Sequence, residues 1–192
     1  MRTNTAQTVK NAMKWLGFAL TITLAGAQMR PSTPNWVRPG LVVMYDGGAR
    51  FMGPHPSALT LVETTRVQSV SNGRVTGSSN LRNGANPMQN NFNWTCMEGG
   101  ACDTYPARFW VDPQNPTASI HGPNGEPFTV MGRSPSTYGG RTWDGTTMVY
   151  QNPASGTQYM VIFDTASGLI LAYSESTPAQ QTFKHLRYVS AQ

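Results

Sequence analysis

TTMVYQNPASGTQYMVIFDTASGLILAYS, residues Thr146 to Ser174, holds three short runs rich in β-branched and aromatic residues, and the connections between them each carry a Gly. Val, Ile, Tyr and Phe suit a pleated, half-buried surface, and Asn152-Pro153 and Ser167-Gly168 break the pattern as turns. The stretch therefore reads as an antiparallel three-strand meander. Its middle run, Tyr159 to Phe163, is apolar throughout, so it needs a neighbour on each side and cover on both faces.

Outward from the meander the same grammar recurs. Charged residues are sparse at 12 %, while Gly, Pro, Ser, Thr and Asn are plentiful, which favours short strands joined by turns over long helices. Asn72-Gly73 is the sharpest local signal, because a type I′ turn requires positive φ at both central positions. Counting back from it pairs Val70 with Val75, Ser69 with Thr76 and Val67 with Ser78, in a hairpin near the sheet edge. Leu41 to Tyr45 reads as a buried strand stopped by a turn at Asp46-Gly47-Gly48. Ala107 to Val111, Thr117 to His121, Pro127 to Met131 and Phe183 to Val189 read as further strands, the second and third joined by a turn at Pro123-Asn124-Gly125. The final strand, with Lys184, His185 and Arg187, reads as half exposed. Residues 82–105, rich in Asn and Gly, read as a long loop and a candidate recognition surface. Arg133 to Asp144 reads as a second loop, rich in Gly and Ser. The expected fold is all-β: a single antiparallel sheet, strongly curved as a half-barrel or barrel, or a two-layer sandwich.

The first 27 residues place Arg2, Lys10 and Lys14 ahead of an apolar run of about 13 residues that ends in Ala25-Gly26-Ala27. That is the pattern of a secretory signal peptide, and the run is short for a span, which needs about 20 apolar residues. Residues 28–39, with three prolines, form an extended lead-in that packs Trp36 on the first strand, and 40–192 form one β domain. Cleavage after Ala27 leaves eleven basic and nine acidic residues, so the formal charge falls from +5 to about +2. A secreted or periplasmic protein with no stable membrane span after cleavage is the expectation. Cys96 and Cys102, the only cysteines, then form a local disulfide.

Function is narrowed mainly by exclusion. No G-x-S-x-G, H-E-x-x-H, phosphate-binding loop or dinucleotide motif occurs, and the three histidines stand far apart, so no metal site or cofactor is expected. One lysine and ten scattered arginines remain past the leader, which argues against nucleic acid. His121 and Glu126 flank one turn and are the weak candidates for an acid–base pair. Glu63, Glu98, Glu126 and Glu175 are the carboxylates from which a glycosidase-type pair would be drawn. Trp94, Trp110, Tyr138, Arg141 and Trp143 are the candidate ligand-binding residues, since flat apolar faces beside guanidinium suit sugar rings or apolar ligands. By architecture alone such a sheet resembles the lipoprotein-carrier and lipocalin kinds of exported β-protein. Two non-enzymatic readings follow, a curved sheet holding an apolar small molecule or lipid, and a module that presents its loops to a protein or glycan partner. A small secreted hydrolase is the third.

Overall fold

A computed structural model describes residues 32–83, 86–97, 102, 109–122 and 125–190. The expected signal helix and Glu98 lie outside them. No helix among the described residues is long and apolar enough to cross a membrane.

Nine antiparallel strands form one sheet in the order β4-β3-β2-β1-β9-β8-β7-β6-β5. They are β1 (Val42–Phe51), β2 (Ser57–Ser71), β3 (Arg74–Asn83), β4 (Asn86–Met97), β5 (Thr129–Tyr138), β6 (Arg141–Gln151), β7 (Gln158–Asp164), β8 (Ile170–Ser176) and β9 (Gln180–Val189). A one-turn helix, α1 (Pro116–Ser119), precedes β5. Thus β1–β4 and β5–β9 are two meanders, joined where β9 pairs with β1. The tip of the β5–β6 hairpin comes back against β9, with Tyr138 and His185 ring centroids 6.4 Å apart. Three strands stand between β5 and β9 in the sheet order, so the sheet curls strongly at that end. It does not close, because β4 and β5 remain its two edges.

The quoted meander is β6–β7–β8, and β7 has the two neighbours its apolar run requires. Val161 and Phe163 are buried on one face while Met160 and Ile162 are half-buried on the other. The Asn72-Gly73 turn is present with φ of 50° and 71°. Val70 meets Val75 and Ser69 meets Thr76, but a bulge then shifts the register, so Val67 faces Gly77 rather than Ser78.

Other expectations need correction. β1 runs straight through Asp46-Gly47-Gly48 instead of turning there. Those glycines allow close approach of neighbouring backbone, since a Cβ on Gly48 would strike the Leu59 carbonyl and one on Gly47 the Phe183 carbonyl. The Asn-rich 82–105 segment contains β4, a full edge strand. Its inward positions Phe92, Trp94 and Cys96 alternate with polar Asn91, Asn93 and Thr95, and the abundance of Asn conceals that period. The 133–144 segment is not a loop either but the β5–β6 hairpin, turning on Gly139-Gly140 with φ of 57° and 73°. Thr117 lies in α1, where Pro116 starts the helical turn, and His121 keeps only an isolated bridge to Pro127.

One face of the sheet, the inner face, carries the core. At the end where β1 begins, it is covered by residues 36–41 and 109–111. Val37, Leu41, Phe109 and Trp110 are buried there against Val43, Val67, Trp94, Leu171 and Leu186. Backbone bonds hold the cover in place: Val111 N–H donates to Gly168 O at 2.8 Å and Ile170 N–H to Phe109 O at 2.9 Å. Trp36 packs against the cluster that holds Val43 and Tyr45, its ring lies 6.0 Å from that of Phe109, and its Nε1 donates to Ser167 O at 2.6 Å. A second cluster, with Phe128, Met148, Tyr150, Val161 and Phe163, continues the core under β6 and β7.

Candidate functional site

Toward the opposite end, where β1 finishes, the inner face changes character. Strand register lays two rows of side chains across it. One runs Leu61, Gly47, Lys184, Tyr173, Val161, Met148 and the next runs Leu59, Ala49, Thr182, Glu175, Tyr159, Tyr150. Leu59, Leu61 and Leu81 are only half-buried, as are Tyr159, Tyr173, Glu175 and Thr182 across from them. Apolar groups thus line one side and tyrosines the other.

The floor between them is ionic. Lys184 Nζ lies 3.0 Å from Glu63 Oε2, with the two side chains 10 % and 7 % exposed. Lys184 comes from β9 and Glu63 from β2, so the lysine crosses β1, and it does so at Gly47. A Cβ on Gly47 would sit 3.1 Å from the Lys184 Cβ, which is why the crossing needs glycine there. On the way the ammonium passes over the Tyr45 ring, 4.7 Å from its centroid. Thr65 Oγ1 donates to Glu63 Oε1 at 3.1 Å and shares a 2.7 Å hydrogen bond with Ser79. Tyr45 O–H donates to Ile170 O at 2.9 Å, tying β1 to β8 across the inner face. A charge pair this buried persists only when its remaining polar atoms are also met, and here hydroxyls help to meet them.

The tyrosines beside this floor are held in their protonated form. Burial raises the Tyr45 phenol well above its ordinary value, and the nearby Glu63 charge adds to the shift. Burial and then Glu175 raise Tyr173 in the same way. Tyr159 is raised first by burial and then by Glu175, and Tyr150 first by burial and then by Glu126. The Tyr150 and Tyr159 rings stack at 5.8 Å and 20°.

The sequence candidates are divided by the fold. Trp94 and Trp110 are 1 % and 0 % exposed, in the core. Tyr138, Arg141 and Trp143 do come together, at the β5–β6 tip. Arg141 stacks 4.6 Å above the Trp143 ring, and Trp143 Nε1 donates to Tyr138 O at 3.0 Å. His121 and Glu126 are not joined by an ion pair, because the Glu126 carboxylate turns to Tyr150 instead. Glu63 is committed to Lys184. Cys96 and Cys102 form the expected disulfide, closing the end of β4 back on itself. Among the described residues no group of three His, Cys, Asp or Glu side chains gathers to hold a metal.

What sequence reasoning missed is the inner-face row itself. Lys184, read as half exposed, is buried, and its partner lies 121 residues away. The one signal available was that this is the single lysine beyond the leader, set between Phe183 and His185 on the last strand.

No protein-family model matches the chain. No curated protein matches it either. Among solved structures, the chain is similar to a "putative outer membrane lipoprotein-sorting protein domain from Vibrio parahaemolyticus", with 10 % identity over 80 % of this chain and 86 % of that one, at a TM-score of 0.27.

Proposed function

We propose that the chain is an exported binding domain that takes an apolar or amphiphilic small molecule into the half-covered end of its inner face. The leader pattern and the disulfide support export. The observation that carries the binding reading is the half-buried Leu59, Leu61 and Leu81 across the sheet from Tyr159 and Tyr173, on a face whose other end is filled by the chain's own Phe109 and Trp110. An apolar wall with a few placed polar groups is what small-molecule sites share. The apolar body lies on the leucines, and the tyrosine and Glu175 side meets whatever polar end the ligand has. The contact is made with Lys184 and Glu63 already neutralising one another, so no net charge is demanded of the ligand. Met148 and Phe163, buried in the second core cluster, occupy the inner face under β6 and β7.

The test is native mass spectrometry of protein purified from its own host, followed by displacement of a naphthylamine dye by fatty acids and lysolipids. A co-purifying amphiphile, and dye binding lost in Leu61→Glu, are the expected results. A folded protein that carries nothing and binds no dye would sink the proposal.

A further inference from the structure

On the opposite, outer face of the sheet a second feature stands apart from the site above. The strands β2, β3 and β4 there form a groove of about 450 Å³. Two register rows build it. Arg66 aligns with Ser78 and Asn93, and Thr64 aligns with Asn80 and Asn91, with Gln68 beyond. Amides and hydroxyls dominate the lining, no carboxylate contributes to it, and Arg66 supplies a positive charge.

The amides are oriented. Arg82 Nε donates to Asn80 Oδ1 at 3.1 Å, and Asn80 Nδ2 in turn donates to Asn91 Oδ1 at 2.5 Å. Fixing the Asn91 oxygen in this way leaves its amide hydrogens as donors. Asn93 and Gln68 each offer a donor and an acceptor from one planar group, which matches pairs of neighbouring hydroxyls. Arg66 makes no ion pair among the described residues, and its fork geometry suits a carboxylate.

From this lining we infer that the groove binds an acidic oligosaccharide, with Arg66 on a sugar carboxylate and Asn91, Asn93 and Gln68 on ring hydroxyls. A nucleic-acid strand fits less well. Stacking platforms for bases are exposed aromatics, and Phe92, the one aromatic lining the groove, is partly buried in the core. This site does not depend on the inner-face proposal, and the two are separable by mutation.

The experiment is titration calorimetry of the folded protein with hexagalacturonate, with maltohexaose and a dT8 oligonucleotide as comparisons, and amide chemical-shift mapping of the complex. Hexagalacturonate should bind in preference to both, with shifts centred on residues 64–68 and 91–93. Arg66→Gln should weaken it about tenfold, the loss of one charge-assisted hydrogen bond, at an unchanged melting temperature, and Asn91→Ala should weaken it less. Leu61→Glu should leave it unaltered. Absence of binding, equal binding of maltohexaose, tighter binding of the oligonucleotide, or an Arg66→Gln protein that binds as before would each overturn the inference.

Discussion

Lys184 Nζ stands 3.0 Å from Glu63 Oε2 beneath the inner face, reaching from β9 over β1 to β2. Breaking a buried pair by removing one partner leaves an uncompensated charge and costs about 3–5 kcal/mol. Lys184→Met should therefore lose about that much in urea denaturation. Pairing it with Glu63→Leu should recover most of the loss, because two apolar groups need no charge solvation. A single variant as stable as the parent would show that the pair contributes nothing to holding β2, β1 and β9 in register.

Alkaline stability follows from the phenols. Tyr45 and Tyr173 are raised above their ordinary value of 10.0, by burial first and by carboxylates second. Once pH passes about 10, the unfolded chain has released these protons while the folded one still holds them. The stabilisation is complete below that pH and drains away as pH climbs through the folded values. Thermal melts from pH 8 to 11.5 should show the decline beginning near pH 10, and Tyr45→Phe with Tyr173→Phe should flatten it. An unchanged slope in the double variant would assign the decline to other groups.

Gly77 is a packing requirement. A Cβ there would run into the Trp94 ring and the Arg66 carbonyl, both held by strand pairing. Gly77→Ala should cost about 1–3 kcal/mol by overpacking. Gly53→Ala, with nothing within 4 Å of the new methyl, should change stability by less than about 0.5 kcal/mol. Chemical denaturation of the two variants side by side measures the contrast, and equal effects would contradict it.

The disulfide is a local clamp. Cys96 and Cys102 close a short loop with a sequence separation of 6, so replacing both by Ser should remove about 2 kcal/mol. The circular dichroism of the sheet should survive. Collapse of the whole domain on reduction would mean that the bond holds far more than the end of β4.

How much of this was legible depended on where each strand's partners lie in the chain. The β6–β7–β8 meander and the Asn72-Gly73 hairpin could be read because turn chemistry and side-chain period are local properties. β4 was hidden because asparagine fills the positions where a central strand would vary in polarity, and only Phe92, Trp94 and Cys96 keep the beat. Gly47 and Gly48 look like a turn in sequence but serve close backbone approach, a property of the neighbouring strands. The inner-face row was illegible for the same reason. Lys184 and Glu63 acquire their meaning from pairings between segments more than a hundred residues apart, whereas Trp94 and Trp110, conspicuous in sequence, went to the core where large aromatics bury the most surface.

The seam between β1 and β9 has a kinetic consequence. Each meander assembles from neighbours along the chain, so its loops are short and its closure entropy is small. Joining them requires β9 to find β1 across some 140 intervening positions, and a contact of that span is slow to form. Until it does, the polypeptide is two separate ribbons, each with a raw border, and Lys184 is still on the opposite ribbon from the carboxylate it will neutralise. Zipping of that one border is the step at which the nine strands become a single object.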